Sequence, residues 1–144
     1  MRHLIHVRRM LKWQTHAMRL ALAAMETSED RFQKVGACAL AHDHTVLGVS
    51  YNGLAAGIDA PEGFWDDRDK RRPYMIHAET NLLSLFSRGE GGLLACTLLP
   101  CNPCALNIAA HGIKEVVFGD VYDKDQRAID TFKFYGIKLT QLKL

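Results

Sequence analysis

The chain has 144 residues, of which 48% are hydrophobic and 24% are charged, and its formal net charge is +2. A chain of this length predicts one domain, residues 1–144, with room for a full hydrophobic core. The composition is ordinary for a globular protein, and the small net charge argues against a dedicated nucleic-acid binder. No apolar run approaches the roughly 18 residues of a membrane-spanning helix.

The N-terminus is basic but lacks the uninterrupted apolar stretch of a signal peptide. Without an export signal, the four cysteines predict reduced thiols or metal ligands rather than disulfides. We therefore expect a cytoplasmic protein.

Hydrophobic periodicity predicts elements in the order α-β-β-α-β-α-β-α-β. They are a helix over 10–27, strands over 35–41 and 45–50 joined by a hairpin turn, a helix over 77–88, a strand over 93–99, a helix over 102–111, a strand over 116–118, a helix over 123–135 and a strand over 137–142. Because later strands alternate with helices, they should form one parallel or mixed sheet covered on both faces. Residues 53–76 are expected to be irregular, and a loop this long is usually functional.

Two short segments carry the chemistry, HAE at 77–79 and PCNPC at 100–104. Zinc prefers nitrogen and sulfur ligands, and a catalytic zinc keeps three of them and leaves one position to water. His77, Cys101 and Cys104 supply three such ligands. The two cysteines are three residues apart at the start of a predicted helix, so they share a face, and the positive helix N-terminus favours thiolates.

Glu79 is not needed as a ligand and remains free for proton transfer. Zinc lowers the pKa of bound water, and a neighbouring carboxylate can act first as general base and then as general acid. These steps suit the removal of the amino group from a cytosine or adenine ring. The pattern His-x-Glu followed by Pro-Cys-x-x-Cys is a known signature of zinc nucleobase deaminases.

Other interpretations of the cysteines are weaker. Cys-x-x-Cys alone could be a redox pair, or half of a structural zinc site that recruits His111. A structural zinc module would not need Glu79 beside its ligands. Cys38 and Cys96 lie in apolar strands and are predicted to pack in the core. The remaining histidines are predicted to be turn, surface or packing residues, namely His3, His6, His16, His42 and His44.

On these motifs the chain resembles the zinc-dependent cytidine deaminase superfamily, and within it the deoxycytidylate (dCMP) deaminases. The segments that carry the resemblance are SEDRFQKVGACAL at 28–40, YNG at 51–53, HAETNLL at 77–83, LLPCNPCALNIAAHGIKEVVF at 98–118, and Tyr122-Asp123. The resemblance implies a three-layer α/β/α fold with a five-stranded mixed sheet, one catalytic zinc ion per chain, and a homo-oligomer, either dimer or hexamer. It also implies conversion of dCMP and water to dUMP and ammonia in pyrimidine deoxynucleotide metabolism.

The resemblance further implies that Asn52 contacts the sugar and that Tyr122 lies near the base. Ala78, between His77 and Glu79, is expected to contact the substrate as well. Guanidinium and ammonium groups bind phosphate oxygens, so the basic residues in the loop over 53–76 favour a phosphorylated substrate. The candidate phosphate ligands are Arg68, Lys70, Arg71 and Arg72. The alternatives are Arg31 and Lys34, which precede the first strand and are expected on the opposite side of the substrate.

Three other functions remain open from the sequence. The substrate could be another cytosine compound, such as dCTP, deoxycytidine or a modified nucleotide. An editing deaminase that acts on nucleic acid should be more basic than a chain of net charge +2. A non-catalytic structural zinc module is the third alternative.

Overall fold

The computed structural model describes residues 11–144, so the predictions for His3, His6 and Met10 fall outside the described residues. Five strands form one sheet: β1 (Gly36–Ala41), β2 (Val46–Tyr51), β3 (Gly91–Leu98), β4 (Glu115–Asp120) and β5 (Lys138–Gln141). The sheet order is β2-β1-β3-β4-β5. β1 runs antiparallel to both of its neighbours, whereas the β3–β4 and β4–β5 pairs are parallel. The mixed five-stranded sheet predicted from the sequence is confirmed.

Helices cover both faces of this sheet, which confirms the three-layer architecture. They are α1 (Lys12–Met25), α3 (Ala78–Leu83), α4 (Asn102–Ala110) and α5 (Arg127–Phe134), while the short helix α2 (Arg68–Arg71) lies in the loop before α3. One buried cluster joins α1 to the sheet face that carries Cys38 and Leu40. A second, larger cluster joins α3, α4 and α5 to the opposite face. No helix in the part of the chain that the structure describes is both long and apolar enough to cross a membrane.

Helix α1 lies very close to β1 because of one glycine. The inward side of α1 is made of Ala17, Met18, Ala21 and Ala24, which are all buried and mostly small. A Cβ atom added at Gly36 would lie only 1.9 Å from the backbone oxygen of Ala21. Only glycine therefore fits at this contact between helix and strand.

Two helices are shorter than their periodicity predicts. α3 ends at Leu83 instead of continuing to residue 88, because the Ser84 hydroxyl donates a 2.6 Å hydrogen bond back to the Asn81 carbonyl and the chain turns. α5 begins at Arg127 instead of 123, because the Asp125 carboxylate binds the backbone N–H groups of Asn102 and Arg127. Short polar side chains often compete with helical hydrogen bonds in this way.

The loop over 53–76 is more ordered than the predicted irregular segment. It contains α2 and two 3-10 turns, at Phe64–Asp66 and Arg72–Tyr74. Asp67 caps α2, since its side chain accepts hydrogen bonds from the N–H groups of Asp69 and Lys70 at 3.0 Å each. Two backbone hydrogen bonds between Gly53 and Ile76 close the base of the loop. The basic residues over 68–72 are thereby held next to the start of α3.

The contact between α1 and β1 gives a stability prediction. Gly36→Ala should lower the free energy of unfolding by about 1–3 kcal/mol or more, because the new methyl group meets backbone atoms that cannot rotate away. Gly53→Ala is the matched control, since its added Cβ would find its nearest neighbour only at 4.0 Å. Urea unfolding measures both variants. Equal stability of the two would contradict the predicted packing of α1.

Candidate active site

The three predicted ligands meet at the N-termini of two helices. His77 directly precedes α3, Cys101 directly precedes α4, and Cys104 lies in the first turn of α4. The Nδ1 atom of His77 is 3.2 Å from the Cys104 sulfur and 3.5 Å from the Cys101 sulfur. All three ligand atoms lie within 4.8 Å of one another. With Zn–N of about 2.0 Å and Zn–S of about 2.3 Å, tetrahedral ligands should be roughly 3.5–3.8 Å apart. The donor set and its spacing therefore fit zinc and leave one position open.

The sheet topology explains why these segments meet. β3 and β4 are parallel neighbours, so the segments that follow them lie at the same edge of the sheet. Asp125, in the segment after β4, accepts a 2.9 Å hydrogen bond from the backbone N–H of Asn102, the first residue of α4. On the other side, the Ser50 hydroxyl donates a 2.6 Å hydrogen bond to the Ala78 carbonyl at the start of α3. Both ligand-bearing helix starts are thus fixed by neighbouring strands and loops.

Electrostatics around the sulfurs favour metal binding. A hydrogen bond with Cys104 and the nearby His77 ring lower the pKa of Cys101 to about 4. The same bond and burial raise the pKa of Cys104, while the hydrogen bond with Cys101 raises the pKa of His77. Cys101 is therefore a thiolate at neutral pH, which is the form that binds metal.

Glu79 lies one residue beyond Ala78, in the first turn of α3, and its side chain is only 4% exposed. Burial raises the pKa of this carboxyl group above its ordinary value. The Cys96 thiol donates a 3.5 Å hydrogen bond to Glu79 Oε1. A buried carboxyl group with a raised pKa is suited to accept and then return a proton.

A cleft of about 300 Å³ opens beside these residues. It is lined by His77, Glu79 and Cys101, and also by the predicted substrate residues Asn52, Arg71, Ala78 and Tyr122. Lys34, the fifth predicted substrate residue, is exposed and does not line the cleft. Its neighbour Gln33 does. The cleft is therefore formed mainly by residues that the sequence pattern selected.

The side-chain amide of Asn52 is fully hydrogen-bonded within the protein. Its oxygen accepts from the Ser28 hydroxyl and the Val35 N–H, each at 2.9 Å. Its nitrogen donates to the Gln33 carbonyl at 2.8 Å and to Asp30 at 3.3 Å. Asn52 therefore ties the turn after β2 to the segment before β1, and its contact with a sugar stays a prediction.

The positive charge of Arg71 is paired inside the cleft. Its guanidinium lies 3.1 Å from the Asp30 carboxylate, with side chains only 9% and 1% exposed, and it also stacks 4.8 Å above the Phe32 ring. Three other cations line the cleft, namely Arg68, Arg72 and Lys124. Arg31 pairs with Asp66 and lies outside the lining, as does Lys70.

Sequence reasoning did not identify Asp30, Lys124 or Asp125 as parts of the site. Asp30 lies within the segment quoted for the resemblance, but nothing in the sequence indicated its pairing with Arg71, 41 positions away by residue number. For Lys124 and Asp125 a signal existed. They belong to a charged run, Asp123-Lys124-Asp125, that begins three residues after the end of β4, a strand parallel to β3, at the edge where such sites form.

His111 does not join the metal-binding group. Its Nε2 atom lies 2.9 Å from the Phe86 carbonyl, and its ring packs edge-on against the Phe86 ring at 4.9 Å. Among residues 11–144, His77, Cys101 and Cys104 form the one cluster that could hold a metal ion. This arrangement favours a three-ligand site over the four-ligand structural site considered above.

Comparison with known proteins identifies the family of the chain. A family model described as the cytidine and deoxycytidylate deaminase zinc-binding region matches residues 11–120. The chain belongs to this deaminase family. The matched region contains His77, Cys101 and Cys104, so zinc is the metal that this group fits.

Curated relatives of the chain carry the name deoxycytidylate deaminase. The protein from Mus musculus is 32% identical over 140 residues, which cover 88% of this chain and 78% of the relative. The protein from Pongo abelii is 32% identical over 127 residues, which cover 81% and 70%. That of Mycobacterium phage D29 is 33% identical over 120 residues, which cover 74% and 93%.

Solved structures share the fold. The dCMP deaminase of cyanophage S-TIM5 superposes with a TM-score of 0.74 at 24% identity and covers 91% of this chain and 98% of its own. A tRNA:A34 deaminase superposes with a TM-score of 0.60 at 19% identity and covers 90% and 98%. The fold is therefore common to deaminases of different substrates and does not by itself identify the substrate.

The ligand geometry predicts one tightly bound zinc ion per chain. Cys104→Ala should lose most of this zinc, because two ligands hold the ion far less tightly than three. Cys38→Ala is the matched control, since Cys38 is equally buried but packs on the opposite face of the sheet. Metal analysis of the purified proteins checks the prediction. Full zinc content in the Cys104 variant would contradict the assigned ligand set.

Proposed function

We propose that the protein is a zinc-dependent hydrolase that converts dCMP and water to dUMP and ammonia in pyrimidine deoxynucleotide metabolism. The observation that carries this proposal is the buried Glu79 carboxyl group beside the His77, Cys101 and Cys104 ligand set at the base of the cleft. The names of the relatives at 32% identity support dCMP as substrate. The cyanophage enzyme of the same fold is known in complex with dCMP and dUMP.

Glu79 has the central part in the reaction. Zinc held by His77, Cys101 and Cys104 would supply Lewis-acid chemistry that makes water a nucleophile near neutral pH. Glu79 takes a proton from the water that attacks C4 of cytosine and delivers it to the ring nitrogen. It then takes the second proton from the new hydroxyl group and gives it to the departing amino group. Ammonia leaves, the C4 carbonyl forms, and Glu79 returns to its starting state.

Glu79→Gln should retain zinc and fold but lose roughly 10²–10⁴-fold in kcat, because glutamine matches the shape of glutamate and cannot carry the proton. Ammonia release from dCMP measures turnover, and metal analysis measures zinc. Turnover within tenfold of the parent would remove Glu79 from this role.

The basic side of the cleft supports a phosphorylated substrate. Arg71 is already paired with Asp30, and three further cations line the cleft, namely Arg68, Arg72 and Lys124. Arg72 lies 3.9 Å from Asp69, and their side chains are 54% and 90% exposed, so this ion pair is weak. We therefore assign the phosphate contact mainly to these three cations, while Arg71 holds the loop in place and its own contact with substrate stays a prediction. Phosphate binding by Lys34 stays a prediction.

Phosphate recognition should appear as a preference for dCMP over deoxycytidine in kcat/KM. A charge-assisted hydrogen bond of about 1.5–3 kcal/mol corresponds to roughly ten- to hundredfold per contact. Arg68→Ala or Arg72→Ala should lose that preference and keep zinc. Lys70→Ala is the matched control, since Lys70 shares α2 with Arg68 and does not line the cleft.

Two outcomes would contradict this assignment. In the first, deoxycytidine is turned over as well as dCMP by the parent. In the second, the Lys70 variant loses as much preference as the Arg68 and Arg72 variants. dCTP or a modified cytosine nucleotide remains the alternative substrate, and kinetic comparison with dCMP distinguishes them.

We also propose a homo-oligomer, a dimer or a hexamer, built from a single deaminase domain over residues 1–144. The edge strand β2 supports this proposal, because Val46, Val49 and Tyr51 are 40–45% exposed on it. Apolar side chains along an unpaired strand edge favour association. A cytoplasmic location stays a prediction, supported by thiol ligands that require reducing conditions.

Light scattering at micromolar concentration should give a mass at least twice the 16.2 kDa of one chain. Val49→Lys should shift the protein toward the monomer, because a charge is costly at a buried apolar contact. A parent protein that is monomeric at this concentration would contradict the proposed assembly.

A further inference from the structure

Cys96 lies directly behind the proposed proton carrier. It is a residue of β3 with no exposed surface, and its sulfur is 3.5 Å from Glu79 Oε1. Along β3 the side chains alternate between the two faces of the sheet, and Cys96 belongs to the cluster that packs under α3. From the sequence this thiol was expected only to fill space in the core.

We propose that Cys96 is a positioning residue for Glu79, whose thiol donates the hydrogen bond that keeps the carboxylate turned toward the cleft. The proposal rests on the proposed function, because it assigns Cys96 to the same proton transfer. A carboxylate that is 4% exposed needs a partner, since a buried charge without one is strongly disfavoured. The thiol is a weak donor, but it is fixed in a strand and points at the oxygen.

The other thiol beside Glu79 cannot take this role. Cys104 is a ligand of the metal, and a metal-bound cysteine is a thiolate, which has no proton to donate. Cys96 is outside the ligand set, and burial raises the pKa of its thiol well above the ordinary value. It therefore keeps its S–H group.

The chain provides a control of matched chemistry. Cys38 is a second cysteine with no exposed surface in the same sheet, on the neighbouring strand β1. Its side chain belongs to the cluster under α1, on the face away from Glu79. Substitutions of Cys38 and Cys96 therefore disturb similar packing, and only those of Cys96 remove a donor to Glu79.

Steady-state kinetics with dCMP form the first part of the test. Cys96→Val should lower kcat by about three- to tenfold, as expected for one weak donor to a charged acceptor, with KM and zinc content unchanged. Cys96→Ala should behave like the valine variant. Cys96→Ser restores a donor and should return kcat to within about twofold of the parent. Cys38→Val should keep the parent kcat.

Infrared spectroscopy forms the second part and needs no turnover. The S–H stretching band that disappears in Cys96→Val belongs to Cys96. In Glu79→Ala this band should move to higher frequency, because the acceptor is gone, while the band of Cys38 stays in place. A Cys96 band that does not move would overturn the proposal even in an inactive preparation.

The kinetic outcomes also divide clearly. If the parent is active and Cys96→Val keeps kcat within twofold, or if Cys96→Ser loses as much as Cys96→Val, then Cys96 is only a packing residue. Loss of zinc or a rise in KM equal to the fall in kcat leads to the same conclusion. A parent that deaminates no cytosine compound contradicts the proposed function instead, and the infrared result then decides the Cys96 contact alone.

Discussion

The three atoms that could hold zinc, on His77, Cys101 and Cys104, must keep the spacing of tetrahedral ligands, and the contacts around two helix starts serve this requirement. The helices α3 and α4 carry no ligand beyond their first turn, so only the position of their N-termini matters. Ser50 holds one N-terminus and Asp125 holds the other, both through backbone atoms next to a ligand. Each of these hydrogen bonds joins a side chain from a neighbouring segment to the backbone at one helix start, so both starts are tied to the rest of the fold.

The same edge of the sheet also supplies the charge pattern of the cleft. At its base, the thiolate of Cys101 and the carboxyl group of Glu79 lie close together, a combination that is costly without a cation. Zinc held by His77, Cys101 and Cys104 would provide that cation. At the rim, Arg68, Arg72 and Lys124 make the opposite contribution and favour an anionic substrate. In the proposed function, base chemistry and phosphate recognition are therefore separated along one cleft.

The sequence predicted the architecture and the ligands for clear physical reasons. Helical and strand periodicities predicted the order of the elements, and the spacing of His77, Cys101 and Cys104 predicted the metal-binding group. Two helix bounds were wrong because polar side chains compete with helical hydrogen bonds. Asp125 binds the start of α4 and so delays α5, while Ser84 ends α3 early through a local hydrogen bond. Arg71 lines the cleft as predicted and also forms a buried pair with Asp30 that only the folded structure reveals, so its contact with substrate stays a prediction.

We propose that this cleft deaminates a cytosine nucleotide, with dCMP as substrate. The most direct measurement is ammonia release by the purified, zinc-containing protein from dCMP, dCTP, deoxycytidine, CMP and single-stranded oligonucleotides that contain cytosine. The proposed function predicts the highest kcat/KM for dCMP, with deoxycytidine lower by at least about tenfold because it lacks one phosphate contact. Release of ammonia from oligonucleotides alone, or from none of these compounds, would contradict it.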